Sequence, residues 1–204
     1  MEMVWMLAAF IIFVAILVVA SYMLNSHTVA RLKELASEFG SNVESKGGFL
    51  RESATSFERE GTRFTGRITR MKYACFFRVG FAAEPGDLHF QIKSTRSHVV
   101  GSYAKQASSD SKFWHRNTAS PLAADYLLHS NDSRGFELLL ADPLIVSELK
   151  KYDLSWNRQV EILYEAGDFE LLYTTDPHNS EQKLRDVFRT AISFHDRLRP
   201  KPVH

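Results

Sequence analysis

The chain of 204 residues contains a single cysteine, Cys75. An internal disulfide and a cysteine-rich zinc site are therefore both excluded. Cys75 belongs to an apolar row of a predicted strand, and a reactive cysteine needs basic neighbours and exposure, so a packed thiol is favoured. The count is compatible with a reducing compartment and with the periplasm, where many proteins also lack disulfides.

An excess of either charge is also missing, because 25 Lys and Arg stand against 24 Asp and Glu, a net charge of +1. A nucleic-acid-binding surface is usually strongly basic, so no nucleic acid is expected as a partner. The ten glycines are scattered singly apart from Gly47-Gly48, which leaves no glycine-rich phosphate loop. We predict no cofactor.

Motifs for nucleophilic catalysis are weak. Three segments match S-x-x-K, in which a lysine can deprotonate a serine: Ser102–Lys105, Ser109–Lys112 and Ser147–Lys150. No S-D-N or K-T-G companion accompanies them, so the matches indicate coincidence. We predict no catalytic residue.

Eight histidines raise the question of a metal site, but no H-E-x-x-H motif occurs. Residues that could cluster at strand ends are Asp125, His129 and Asp132, and, at another end, Asp176 and His178. Turn or cap roles explain Asp132 and Asp176 equally well. His195-Asp196 is similar to half of a metal phosphohydrolase motif, yet His195 falls on the apolar face of a helix. We predict no metal ligands.

One long apolar run, Met3–Leu24, contains no charge, glycine or proline. As a helix its 22 residues would reach about 33 Å, enough for a hydrocarbon core of roughly 30 Å. Only Met1 and Glu2 precede it, without the basic segment of a signal peptide, although Val18–Ala20 resembles a loose cleavage site. A retained transmembrane helix, with residues 3–24 in the lipid bilayer, is the favoured interpretation.

The basic residues near this run predict its orientation. None precedes it, and Arg31 and Lys33 follow it closely. The positive-inside rule then places the C-terminal part in the cytoplasm. We expect a single-pass protein of the cell (inner) membrane.

The rest of the chain predicts an amphipathic helix and connecting loop at 26–52 and a soluble α+β domain at 53–204, after an anchor at 1–25. The helix covers Ser26–Phe39, Gly40 is placed as its cap, and 41–50 is a polar loop. Strands are expected at 57–60, 63–79, 88–92, 125–130, 158–164 and 169–175, and helices after a Ser133 cap, at 144–152 and at 179–198. These elements do not alternate as βαβ units do, so we expect a mostly antiparallel sheet covered by helices.

Arginine residues line one side of the predicted strand at 63–79. Arg63 and Arg67, with Arg70 as a further candidate, could bind phosphates or anionic lipid headgroups. Pairing with carboxylates on a solvated sheet is the commoner arrangement.

Four segments carry a resemblance to known proteins: LKELASEFGSNVES, RFTGRITRMKY, DYLLHSNDSRGFELLLADPLIVSELKKY, and the hairpin and helix that follow. In these the chain resembles a class of uncharacterised bacterial single-pass membrane-anchored proteins. The resemblance implies an anchor followed by one domain. It implies no activity and no site residue.

Two functions remain from the sequence. The first is a non-enzymatic module at the cytoplasmic membrane face that binds an unidentified protein or the membrane surface. The alternative is a membrane-anchored hydrolase with its site in the 95–132 region, where His98, His115 or His129 would meet a carboxylate.

Overall fold

In the residues that the structure describes, nine strands form one sheet in which every strand pairs antiparallel with its neighbours, in the order β1-β2-β3-β4-β9-β8-β5-β7-β6. The α+β class with a large antiparallel sheet is therefore confirmed. The computed structural model describes residues 2–47, 52–95, 115–154, 158–176 and 180–199; within these ranges the side chains of 2–4, 7–9, 17, 18, 21–25, 27, 180 and 181 are not described.

The helices and strands have the following bounds. The helices are α1 (Glu2–Ser37), α2 (Ser133–Ala141), α3 (Pro143–Lys150) and α4 (Ser180–Leu198), with a 3₁₀ helix at Pro121–Ala124. The strands are β1 (Ser41–Gly47), β2 (Glu52–Arg59), β3 (Thr62–Arg70), β4 (Cys75–Ala82), β5 (Phe90–Ser94), β6 (His115–Arg116), β7 (Tyr126–Ser130), β8 (Gln159–Glu165) and β9 (Asp168–Thr175).

Helix α1 runs without interruption from Glu2 to Ser37, so the helix predicted from Ser26 is its last part. Leu32, Leu35 and Ala36 are buried there, at the spacing that places side chains on one helix face. Among the residues whose side chains are described, which in α1 leave out 2–4, 7–9, 17, 18, 21–25 and 27, no helix contains a stretch long and apolar enough to cross a membrane.

The polar segment after α1 corrects the predicted loop, because Ser41–Gly47 is strand β1. It is an edge strand paired only with β2 and largely exposed, so its sequence lacks apolar alternation. Gly40 does not act as a left-handed helix cap, since its φ is not positive. A Cβ there would lie 2.3 Å from the Glu58 carbonyl oxygen, so close backbone approach requires the glycine.

The single strand predicted at 63–79 is wrong. The segment forms β3 and β4, joined by a turn at 71–74 in which the Met71 N–H donates to the Ala74 carbonyl at 2.8 Å. The buried residues of β3 have even numbers (Phe64, Ile68), and those of β4 have odd numbers (Phe77, Val79). Because strand side chains alternate with a period of two, such a change requires a break.

Two tight hairpins organise the sheet. The predicted hairpin between β8 and β9 is confirmed, with Ala166 and Gly167 at φ 52° and 88°. Glu60 and Gly61, at φ 50° and 79°, join β2 to β3 in the same way. Positive φ at both central residues matches the right-handed twist of the flanking strands.

Helices α2 and α3 each begin directly after an aspartate whose side chain caps the helix N-terminus. The predicted start at Asp142-Pro143 is confirmed, since the Leu144 N–H donates to the Asp142 carboxylate at 2.8 Å. Helix α2 is capped by Asp132, which accepts from the Arg134 N–H at 3.0 Å. The predicted Ser133 cap is therefore wrong by one residue, and Ser133 is the first helical residue.

The four α-helices of the described ranges lie on one side of the sheet, where aromatic rings fill the core. Phe57 of β2 is fully buried between Phe39, Phe64 and Phe188, with ring centroids 6.2, 5.1 and 5.2 Å away. Toward the other end, Phe90 stacks with Phe136 of α2 at 5.2 Å. One apolar core thus joins α1, the sheet, α2 and α4.

Candidate functional site

The first half of α1 carries exposed apolar side chains. Among the described residues, nine large ones are between 40% and 74% exposed: Trp5, Met6, Phe10, Ile11, Ile12, Phe13, Val14, Ile16 and Val19. Successive helical residues differ by 100° around the axis, so the consecutive residues 10–14 occupy every side of the helix. The apolar surface therefore surrounds α1 and is not one face of it.

The last part of α1 is fixed to the domain. Leu32, Leu35 and Ala36 are buried against the domain. Just after the helix, both carboxylate oxygens of Glu38 accept hydrogen bonds from the Arg185 guanidinium of α4, at 2.9 and 2.7 Å. This hydrogen-bonded pair holds the pKa of Glu38 below its usual value. The exposed half of α1 is thus a direct extension of a docked helix.

Two contacts give the direction of α1 relative to the sheet. Arg70, the last residue of β3, donates from Nη1 to the Thr28 hydroxyl at 3.2 Å. Gly40, past the end of α1, lies against Glu58, which pairs with Arg63 near the start of β3. Helix α1 and strand β3 therefore run in opposite directions, and β3 ends toward the exposed half of α1.

The sheet face opposite the helices, called the outer face, carries two of the predicted arginines, Arg63 and Arg67, together with Arg78, which was not predicted. Each of these three has a carboxylate partner: Arg63–Glu44 at 2.8 Å, Arg67–Glu52 at 3.8 Å and Arg78–Glu170 at 2.8 Å. A shallow depression of about 520 Å³ lies among them, lined also by Leu163 and Glu165. The surface is mixed in charge, as expected for solvated ion pairs, and Arg70 points instead to α1.

The histidines of the hydrolase hypothesis do not converge within the described part of the chain. His115 pairs with Ser130 and His129 pairs with Arg116 on neighbouring positions of β6 and β7, so the two imidazoles point to opposite faces. Burial, with a smaller effect from Arg116, lowers the pKa of His129. His98 lies outside the described residues.

The described residues weighed as metal candidates in the sequence lie apart, and two of them, Asp132 and Asp176, have structural roles. Asp125 and Asp132 lie on either side of β7, whose five residues extend about 17 Å, and Asp132 caps α2. Asp176 accepts two bonds from Arg158, at 3.1 and 2.8 Å, which raise the pKa of the guanidinium. His178 lies outside the described residues. No three His, Cys, Asp or Glu of the described ranges are grouped as metal ligands.

His195 is a core residue, only 1% exposed. Its ring lies edge-on to Phe64 and Phe81, with centroids 5.1 Å away in both cases. The two ring nitrogens lie 2.9 Å from the Thr62 hydroxyl and 3.2 Å from the Asp196 carboxylate. These partners satisfy a buried imidazole and leave it no access to a substrate.

Of the S-x-x-K segments only Ser147–Lys150 is described. The Ser147 hydroxyl donates to the Leu144 carbonyl at 3.0 Å, a bond within its own helix. Such local bonds are usual for a helical serine. The other two segments lie outside the described residues.

Cys75 is fully buried in β4, and burial raises the pKa of its thiol to about 11. The nucleophilic form of a cysteine is the thiolate. At neutral pH this thiol is therefore inert, as the strand pattern predicted.

A buried polar cluster escaped the sequence analysis. Glu148 of α3 is 4% exposed, binds Lys151, and has its other oxygen 3.3 Å from the Thr190 hydroxyl of α4. The Tyr152 hydroxyl donates to Thr190 at 2.9 Å, and burial raises the pKa of this tyrosine. The spacing of Glu148 and Tyr152, one helical turn apart, was the available signal. The cluster joins α3 to α4 and faces no cavity among those described.

No protein-family model matches the chain, and no curated protein or solved structure is significantly similar to it.

Proposed function

We propose that this chain is a single-pass membrane protein in which residues 3–24 of α1 are the anchor. Its domain, held at the cytoplasmic face of the inner membrane, acts as a non-enzymatic module that binds a protein or the membrane surface. The observation that carries the proposal is the apolar surface on every side of α1. A helix that is apolar all round is one that lies in a protein core or in a membrane.

The free energy of removing the exposed apolar side chains of α1 from water is large. Moving a large apolar side chain out of water contributes about 1.5–3 kcal/mol, so nine of them contribute on the order of 20 kcal/mol. A typical domain is stable by only about 5–15 kcal/mol. Leaving this surface in water is therefore the least favourable arrangement, and a bilayer removes all sides of the helix from water at once.

A helix lying flat on the membrane fits less well. Such a helix needs a charged or polar face along its length, and residues 3–24 contain no charged residue. Trp5 and Tyr22 stand near the two ends of the run, where amphipathic rings favour the membrane–water boundary. Both features support a spanning helix.

The described ionisable residues support a binding role over catalysis. Asp132 and Asp142 cap helices, Asp176 binds Arg158, and His195 is packed between phenylalanines. The alternative of a hydrolase near 95–132 gains no support from His115 and His129, whose side chains lie on opposite faces of the sheet.

The cytoplasmic orientation predicts a protection experiment. With the full chain expressed in a bacterial host, protease added to intact spheroplasts is expected to leave the domain whole, because Arg31 and Lys33 favour the inner side. An antibody to the C-terminal segment reads out the length of the fragment.

Protease added after the spheroplasts are lysed is the control and must remove the signal. Digestion in intact spheroplasts would place the domain outside and contradict the proposed location.

A further inference from the structure

We infer that the turn between β3 and β4, residues 71–74, is a second membrane contact, in which Met71 and Tyr73 enter the headgroup region of the bilayer that α1 spans. The inference rests on the proposed function, because it requires α1 to be in the membrane. It assigns the lipid surface as the partner of this end of the domain.

The position of the turn follows from the uninterrupted helix. Thr28 comes four residues after Leu24, the last residue of the apolar run, and is therefore about 6 Å further along the axis. The headgroup layer on each side of a bilayer is about 5–8 Å thick. Because Arg70 binds Thr28 at 3.2 Å, the end of β3 lies at the level of the lipid headgroups.

The direction of β3 carries the turn further toward the membrane. Since β3 runs opposite to α1, the chain beyond Arg70 continues toward the apolar half of the helix before β4 returns. The backbone bond from Met71 to Ala74 closes the turn at 2.8 Å. The turn is therefore the part of this hairpin closest to the proposed hydrocarbon core.

The side chains of the turn suit a headgroup layer. Tyr73 is 77% exposed and Met71 is 47% exposed, and the Lys72 ammonium lies 4.9 Å from the Tyr73 ring centroid. Tyrosine is enriched at the membrane–water boundary. A lysine near an anionic surface contributes about 1 kcal/mol. An exposed apolar and aromatic pair is unfavourable in water and favourable at this depth.

The opposite end of the domain supplies a matched control. Leu138 of α2 is 70% exposed, similar to Tyr73. Helix α2 ends at Ala141, and the next residue, Asp142, binds Arg197 near the C-terminus of α4. Arg199, two residues further on, binds Glu60 at the β2–β3 turn. The β2–β3 turn is at the far end of β3 from Arg70, so Leu138 should stay in water.

The test uses the full chain in nanodiscs of three parts phosphatidylcholine to one part phosphatidylglycerol. The environment-sensitive fluorophore NBD is attached to Tyr73→Cys, to Leu138→Cys and to Phe13→Cys, a position within the proposed span. Cys75 is retained, since it is buried and its thiol pKa is raised to about 11, and the unsubstituted chain gives the labelling blank. Replacing Tyr73 or Leu138 removes no buried side chain, so the fold is preserved.

We expect NBD at position 73 to show blue-shifted emission and loss of fluorescence with headgroup-labelled nitroxide lipid. NBD at position 138 should instead be quenched by iodide in the water and unaffected by that lipid. Position 13 should be quenched by a lipid with the nitroxide deep in its acyl chain.

Two failures are distinguishable. If position 13 is quenched in the bilayer while positions 73 and 138 behave alike, the turn is not a membrane contact and the anchor stands. If position 13 is itself accessible to iodide, the proposed anchor fails and the inference fails with it.

Discussion

Phe57→Ala is expected to lower the free energy of unfolding of the domain by about 3–5 kcal/mol. The Phe57 side chain is fully buried, and its ring contacts Phe39 after α1, Phe64 of β3 and Phe188 of α4. Removing it leaves a cavity where the end of α1, the sheet and the last helix meet. Urea unfolding of the full chain in a mild detergent, followed by tyrosine and tryptophan fluorescence, measures the change.

The matched control is Leu138→Ala. It removes a similarly apolar side chain that is 70% exposed, and surface substitutions usually change stability by about 0.5 kcal/mol or less. Equal stabilities of the two variants would show that Phe57 is not at the centre of the core.

The second large effect concerns the membrane. The double substitution Ile12→Arg with Phe13→Arg should abolish stable insertion, because each arginine at the centre of a spanning helix costs about 2.5–3.5 kcal/mol. Two of them cost about 5–7 kcal/mol, a factor on the order of 10⁴ in the equilibrium. In a sucrose flotation assay the variant should stay at the bottom of the gradient.

The control for this prediction is Ile12→Leu with Phe13→Leu, which keeps the helix apolar and should float with the membranes like the unsubstituted chain. Flotation of the arginine variant to the same density would mean that residues 12 and 13 are not in the hydrocarbon core.

Much of the fold could be predicted because its signals are local. The Ala166-Gly167 hairpin and the Asp142-Pro143 helix start each depend on a few consecutive residues, and the last helix depends on the periodicity of one continuous segment. The antiparallel class followed from the order of these elements. Such features need no knowledge of what the rest of the chain does.

Two errors came from features that depend on distant partners. Strand β1 is polar and exposed, and its pairing with β2 defines it; no periodicity in the segment predicts it. The fused strand at 63–79 came from reading Met71 and Tyr73 as buried, although both are exposed in a turn. The change from even to odd apolar positions was visible in the sequence and could have indicated that break.

The proposed membrane-facing end of the molecule also combines features that depend on local sequence with a feature that depends on distant residues. The anchor and its orientation remain predictions from local sequence, namely the apolar run at 3–24 and the basic residues after it. The contact between Thr28 and Arg70 joins residues 42 apart in the chain, and no local pattern predicts it. This contact brings the end of β3 beside Thr28, four residues after the apolar run.

The most direct test of the anchor is a nitroxide scan of residues 10–14 in the full chain in nanodiscs, with collision rates measured for oxygen, which concentrates in lipid, and for a nickel chelate, which stays in water. Because these residues lie on every side of α1, all five positions should show high oxygen and low nickel accessibility. A nickel accessibility that is high throughout, or that rises and falls with the helical repeat, would contradict a spanning helix.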